Sequence, residues 1–252
     1  MVKAIKITIL SLLCISLVLF MFMFIENGFK FSNSKVKLVF EESYDINDIN
    51  KISLIAKSSD INIYESKDDK LNVKVYSEKK DDVKITNENN VFEISNVQKG
   101  TICFGFCFAD RKINIYVPKS YEGSFKIKTT SGDIKSELAT FNDYNISVTS
   151  GDIELYNASS LVGSATSGDV EIEEINSSID FKTTSGDIEI ERLTLTKNSM
   201  IKVTSGDISI DRANNAYINS SVKSGDIDVK NNDRHAEYEL VIKTTSGDIE
   251  VN

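Results

Sequence analysis

The tripeptide Ser-Gly-Asp recurs seven times in the C-terminal half of the chain, with its glycines at 132, 151, 168, 186, 206, 225 and 247. Intervals of 17 to 22 residues are the length of one supersecondary unit, too short to be a domain, so the units must stack on one another. The flanking residues keep register with the glycines. Four before each Ser stand Ile127, Ile146, Gly163, Phe181, Ile201, Ser220 and Ile242, and two before stand Thr129, Val148, Ala165, Thr183, Val203, Val222 and Thr244. Three after each Ser stand Ile134, Ile153, Val170, Ile188, Ile208, Ile227 and Ile249, and five after stand Ser136, Leu155, Ile172, Ile190, Ile210, Val229 and Val251. Each side of the tripeptide therefore alternates with period two, the pattern of a strand with one buried face. The phase changes across Ser-Gly-Asp, so the chain turns there, and glycine allows a tight corner.

A unit of two short strands cannot bury its apolar face alone. Roughly four inward residues per coil, each contributing about 1.5–3 kcal/mol on burial, outweigh the ordering entropy only when coils stack. The sequence predicts an all-β, single-stranded parallel β-solenoid, right-handed by the usual crossover rule, preceded by one N-terminal transmembrane helix. A degenerate coil extends the register upstream. In ISLIAKSSDINI (52–63), Ser59 replaces the glycine while Leu54, Ala56, Ile61 and Ile63 fill the inward positions. Strand-like runs around Leu71–Val75, Val91–Ile94 and Ile113–Val117 lie between it and the regular array. The expected organisation is 1–28 as cytoplasmic tip and signal-anchor helix, 36–123 as irregular β coils or cap, and 124–252 as the regular solenoid. Pro118 and Gly123 mark a loop between the last two.

Residues 7–25 carry no charge. Nineteen residues at 1.5 Å rise span about 28 Å, close to the hydrocarbon thickness of a bilayer. Lys3 and Lys6 precede the segment and Glu26 follows it, which places the N-terminus in the cytoplasm and the rest outside. A cleaved signal peptide would need a shorter apolar core and a small-x-small site, whereas large residues run to Ile25 and Glu26-Asn27-Gly28 follows. A lipoprotein site at Cys14 is disfavoured by Leu13 and by the short spacing from Lys6.

The chain carries a formal charge of −9, and residues 124–252 hold 12 Lys and Arg against 22 Asp and Glu. An acidic array repels phosphate backbones, so nucleic acid is not an expected partner. The single histidine, His235, reads as a surface residue and leaves little room for acid–base chemistry. There is no phosphate-cradling loop, nucleophile elbow or His pair for metal. The four arginines, Arg111, Arg192, Arg212 and Arg234, read as falling at non-equivalent repeat positions, unlike a polysaccharide-cleaving site. We expect no enzyme activity, no catalytic residues, no cofactor and no metal site. Cys103 and Cys107 flank Phe104-Gly105-Phe106. They fit buried or loop thiols, a disulfide if the segment forms a tight hairpin, or a redox or metal pair. The apolar run ICFGFCF also fits a loop that docks on a partner or membrane.

The run INIYVPKSYEGSFKIKTTSGDI, followed by such coils to Asn252, resembles the bacterial adhesin β-strand-repeat family, first described as a domain of unknown function, and the toastrack-like single-stranded β-helix domains of envelope-stress proteins. The resemblance covers about residues 36–252. It implies an anchored or secreted extracytoplasmic domain, in some members linked to sensing envelope damage, and it carries over no catalytic residue. The functional expectation is a non-catalytic binding or sensing scaffold of the cell envelope, single-pass in the membrane, with stress response as its setting. Its expected partners are membrane lipid through the N-terminal helix and another envelope membrane protein or a cell-wall component. No sorting motif follows the array, so that helix is the expected attachment. Two alternatives stay open: a surface adhesin, for which a rod of about 34 Å at ~4.8 Å per coil is short, and a structural protein that forms homo-oligomers through its C-terminal edge strand, Ile249–Val251.

Stacking also places Asp133, Asp152, Asp169, Asp187, Asp207, Asp226 and Asp248 in one column. Unit charges ~4.8 Å apart repel by about 1 kcal/mol even in water. Hydrogen bonds from backbone N–H groups of each Asp's own turn, or from the neighbouring Ser, offset this in the structural reading; a divalent cation or cationic ligand does so in the functional one. The structural reading predicts nearly the same melting temperature in excess chelator and in millimolar calcium. A rise of many degrees with calcium would favour the cation.

Overall fold

A computed structural model describes residues 36–96 and 111–252. The expected membrane helix over 7–25 and the Cys103–Cys107 segment lie outside these residues. Apart from one 3-10 turn, Lys80–Asp82, every regular element described is a strand. Before the array come β1 (Lys37–Asp45), β2 (Lys51–Ser58), β3 (Asp60–Glu65), β4 (Lys70–Ser77), β5 (Val83–Glu88), β6 (Val91–Asn96) and β7 (Lys112–Val117). The array holds β8 (Ser124–Ser131), β9 (Ile134–Ser136), β10 (Asp143–Ser150), β11 (Ile153–Ser167), β12 (Val170–Ser185) and β13 (Ile188–Thr194). It continues with β14 (Ser199–Ser205), β15 (Ile208–Asn214), β16 (Ala216–Ser224), β17 (Ile227–Val229), β18 (Tyr238–Ser246) and β19 (Ile249–Val251).

These strands form a two-walled solenoid. In each rung the strand before the corner lies in one wall and the strand after it in the other. The long β11 and β12 bend from the second wall of one rung into the first wall of the next. Rungs stack in parallel, so Ile127 lies beside Ile146 and Ile134 beside Ile153. Ile153, Val170, Ile188 and Ile208 continue that column. The inward columns are buried almost completely: Ile146, Phe181, Ile201, Ile153 and Ile188 are all at 0–1% exposure. Inward threonines are buried as well. Thr129 and Thr183 satisfy their hydroxyls on the carbonyls of Ser131 and Ser185.

The degenerate coil belongs to the same stack. β2 and β3 pair with β8 and β9, and Leu54, Ala56, Ile61 and Ile63 are buried as the register requires. Residues 118–123 form a turn held by Tyr121 N–H on the Pro118 carbonyl. Tyr121 packs edge-on against Phe125, which stacks on Tyr144. The segment is thus a packed loop inside one continuous core.

Spatial order departs from chain order at both ends. The rung of β6 and β7 lies outside that of β2 and β3, which instead contacts β8 and β9. At the other end, β18 and β19 insert between β14–β15 and β16–β17. This corrects the expectation that Ile249–Val251 leaves an open edge: β19 is paired on both sides, by β15 and by β17. The exposed edge belongs to β16 and β17. The reason is apolarity. The inserted rung supplies Leu240, Ile242, Ile249 and Val251, all at 0–1% exposure, whereas β16 offers Ser220 at the inward position that Ile242 fills beside it. Placing the more apolar pair inside buries more hydrocarbon and leaves a more polar coil as the terminal cap.

The corner glycines have φ between 120° and 143°, a region that side chains rarely adopt. Space is equally limiting. A Cβ on Gly186 would sit 2.1 Å from the carbonyl oxygen of Gly168 in the adjacent rung. Gly186→Ala should therefore cost about 3 kcal/mol in urea unfolding, from backbone strain plus a clash. Thr184→Ala, at an exposed position two residues away, should stay within about 0.5 kcal/mol.

Candidate functional site

The corner column is a hydrogen-bond ladder. Asp133 N–H donates to Oδ1 of Asp60, Asp152 N–H to Asp133, Asp169 N–H to Asp152 and Asp187 N–H to Asp169, at 2.9–3.2 Å. Asp207 N–H continues to Asp187, Asp248 N–H to Asp207 and Asp226 N–H to Asp248, at 2.7–2.8 Å. Each corner carboxylate except that of Asp226 is thus held by a backbone N–H, but the donor is the aspartate of the neighbouring rung. This corrects the expectation of a donor within the same turn or on the neighbouring serine. The corner peptides also bond in the opposite direction: Gly186 N–H reaches the Ser205 carbonyl at 3.1 Å and Ile188 N–H the Asp207 carbonyl at 2.9 Å. Each aspartate oxygen therefore satisfies a donor that the ladder of carbonyls leaves over. The column is structural in this role. Among the described residues, no group of three or more His, Cys, Asp or Glu is arranged to hold a metal ion. His235 is exposed, with its N–H on Asp233.

The outward faces of the two walls differ in charge. Beside the corners the first wall presents Lys128, Lys182, Lys202 and Lys243. The second presents Glu154, Glu171 and Glu189 directly in register on successive rungs. A shallow depression of about 630 Å³ runs over this second wall, from Lys135 and Glu137 across Glu154, Tyr156, Glu171 and Glu189 to Asp211. Period two dictates the placement, since these residues alternate with the buried Ile153, Leu155, Val170, Ile172, Ile188 and Ile190.

The acids are unevenly neutralised. Lys135 bridges Glu154 at 2.7 Å. Arg192 contacts Glu191, Glu174 and Glu173 at 2.7, 3.1 and 3.2 Å, and Arg212 also reaches Glu191. Hydrogen bonds that Arg192 donates to Glu174 and Glu173 raise the guanidinium pKa above its ordinary value. Arg192 and Arg212 lie directly opposite each other on adjacent rungs, which corrects the reading that the arginines fall at non-equivalent positions. Both stand six residues after a corner glycine, a coincidence legible in the sequence. Among the described residues, no cation lies within ion-pair distance of Glu171 or Glu189. Like charges directly opposite one another in a sheet are destabilising, so this stretch holds uncompensated negative charge at its surface.

Aromatic surface accompanies the acids. Tyr156 is 47% exposed in the depression. Tyr64 and Tyr116, on the same wall towards the N-terminal end, pair across the rungs with ring centroids 5.4 Å apart. Their outward direction follows from alternation, but the repeat pattern, which is read on the buried residues, gave no signal for them. Arg111 lies outside this surface; it is nearly buried and forms a two-point ion pair with Glu78.

Comparison with known proteins places this architecture. The sequence pattern described as Toastrack DUF4097 matches residues 49–252. Among solved structures, one named "putative cell adhesion protein" from Clostridium sporogenes ATCC 15579 is similar at 12% identity and a TM-score of 0.40, over 86% of this chain and 99% of that one. One named "putative adhesin" from Bacteroides fragilis NCTC 9343 is similar at 15% identity and a TM-score of 0.36, over 86% and 97%. One named "Putative lipid binding protein" from Parabacteroides distasonis ATCC 8503 is similar at 16% identity and a TM-score of 0.33, over 84% and 93%. No curated protein matches the chain.

The ladder makes its own prediction. Asp169→Ala removes the acceptor for Asp187 N–H and should cost about 1 kcal/mol in urea unfolding. Asp226 ends the ladder and has no following rung to serve, so Asp226→Ala should cost less than about 0.5 kcal/mol. Equal losses would mean that the carboxylate contacts do not carry the effect.

Proposed function

The chain belongs to the Toastrack DUF4097 family, and from that premise we propose that it is a non-catalytic binding scaffold of the cell envelope that senses envelope state through its acidic wall. The observation that carries this reading is the depression over β11, β12 and β13, where Glu171 and Glu189 stand in register with no counter-ion among the described residues, beside the exposed Tyr156. A rigid wall with fixed outward columns favours an extended ligand, because successive groups meet equivalent side chains every ~4.8 Å. Carboxylates supply acceptors for ammonium or hydroxyl groups, and tyrosine rings supply flat apolar surface. Such chemistry suits a cell-wall component or a basic segment of another envelope protein.

The uncharged run 7–25, with Lys3 and Lys6 before it, supports an N-terminal membrane anchor and an extracytoplasmic solenoid. The nine rungs of the described residues span only about 40 Å at ~4.8 Å each, which favours action close to the membrane over adhesion at a distance. The proposed cytoplasmic tip is about six residues, so a signal would pass through the membrane helix or a partner membrane protein.

Deleting the gene should change growth under cell-wall antibiotics, and the wild-type chain should restore the original response. The double substitution Glu171→Lys and Glu189→Lys should fail to restore it while keeping the wild-type melting temperature. An unchanged response across several such agents would remove the sensing role; full rescue by the double variant would remove the acidic wall as its surface.

A further inference from the structure

The solenoid is open at the end formed by β16 and β17, and we propose that the same end of a second copy of this chain covers it, related by a twofold axis. Among the described residues, β16 pairs only with β18, and β17 only with β19. Their other edges present backbone N–H and C=O groups, which is a template for another strand. The core is open there too. Ile227 is 42% exposed, while its column neighbours Ile249, Ile208 and Ile188 are at 0–1%. The aspartate ladder also ends there, because Asp248 accepts Asp226 N–H and, among the described residues, no further rung donates to Asp226. The free strand edges and the open core call for a strand beyond β16 and β17, while the end of the ladder marks the last parallel rung.

The opposite end of the molecule is a poor occupant. There β5 runs antiparallel on β6, β4 on β7 and β1 on β4. The outermost strand β1 carries a register shift between Leu38 and Phe40 and the exposed acids Glu41, Glu42 and Asp45. Bulges and charges of this kind blunt an edge. A head-to-tail stack would moreover grow without closing, whereas a twofold contact between like edges closes as a dimer.

The β16 edge also limits its own register. Asn232 accepts from Ile218 N–H and donates to the Ile218 carbonyl, both at 2.9 Å, and so occupies the first half of the strand. Pairing is confined to the stretch from Ser220 to Ser224, centred on Val222. An antiparallel pair about an axis near Val222 sets Lys223 opposite Ser221 of the partner, with no like charges facing. It also joins the first walls of the two copies into one continuous sheet.

The test uses the full chain purified in detergent. Light scattering should show a concentration-dependent dimer. Ser221→Cys, on the outward face of β16, lies diagonally across the axis from its partner copy, too far for a direct disulfide, and should form a covalent dimer with a short bis-maleimide cross-linker, well above the level given by the native cysteines. Glu171→Cys, on the other wall, should not. Ile227→Lys changes an exposed side chain, and its melting temperature should match wild type; it should lower the dimer fraction at least about tenfold. A monomer at all concentrations, a dimer indifferent to Ile227→Lys, or a Ser221→Cys adduct formed only with a different membrane protein would each overturn the proposal.

Discussion

At each corner of the regular array, the α-carbon of one glycine lies against the carbonyl of the residue at the corner before it, so closely that a methyl group has no room. Much else in the architecture follows from this backbone contact. It brings adjacent rungs to sheet spacing at their tightest bend, where strands alone would splay. It leaves the aspartate N–H facing the preceding rung without a carbonyl, and the preceding carboxylate fills that vacancy at 2.7–3.2 Å along the whole column. Serine, glycine and aspartate thus recur together because each answers a different requirement of one contact. Ser59 shows the limit of the rule. Its φ is not positive, and it can receive Gly132 against its carbonyl without being a glycine itself.

Once the corners fix the stacking direction, apolarity decides which rung goes where. Interior rungs are covered on both sides and need hydrocarbon in every inward column. Terminal rungs are covered on one side and tolerate Ser220 and the half-exposed Ile227. Chain order therefore yields to burial at the C-terminal end, where the last strands move inward. At the N-terminal end the displaced rung of β6 and β7 keeps a mostly apolar inward face, with Phe92, Ile94, Ile113 and Ile115 at 0% exposure and Asn96 its buried polar member, because β4 and β5 cover it.

The outward columns are free of these packing demands, and there the two walls diverge. Lysines on one wall and glutamates on the other cost stability where they stack on their like, and Arg192 relieves only the far side of the acidic depression. Charge held in register in this way gives the two walls surface potentials of opposite sign.

The sequence by itself determined the two strands per unit, the inward columns, the corner and the parallel stacking, because alternation and glycine placement are local properties repeated too often to be met another way. It even placed Arg192 and Arg212 six residues after their glycines. The tertiary structure alone decided three things: the partner of each aspartate, the order of the rungs at both ends, and therefore which edge is open. A seven-fold repeat is nearly degenerate in its pairings, since every coil is a plausible neighbour of every other. Only the comparison of total burial across the whole stack, a sum over residues far apart in the chain, breaks that degeneracy.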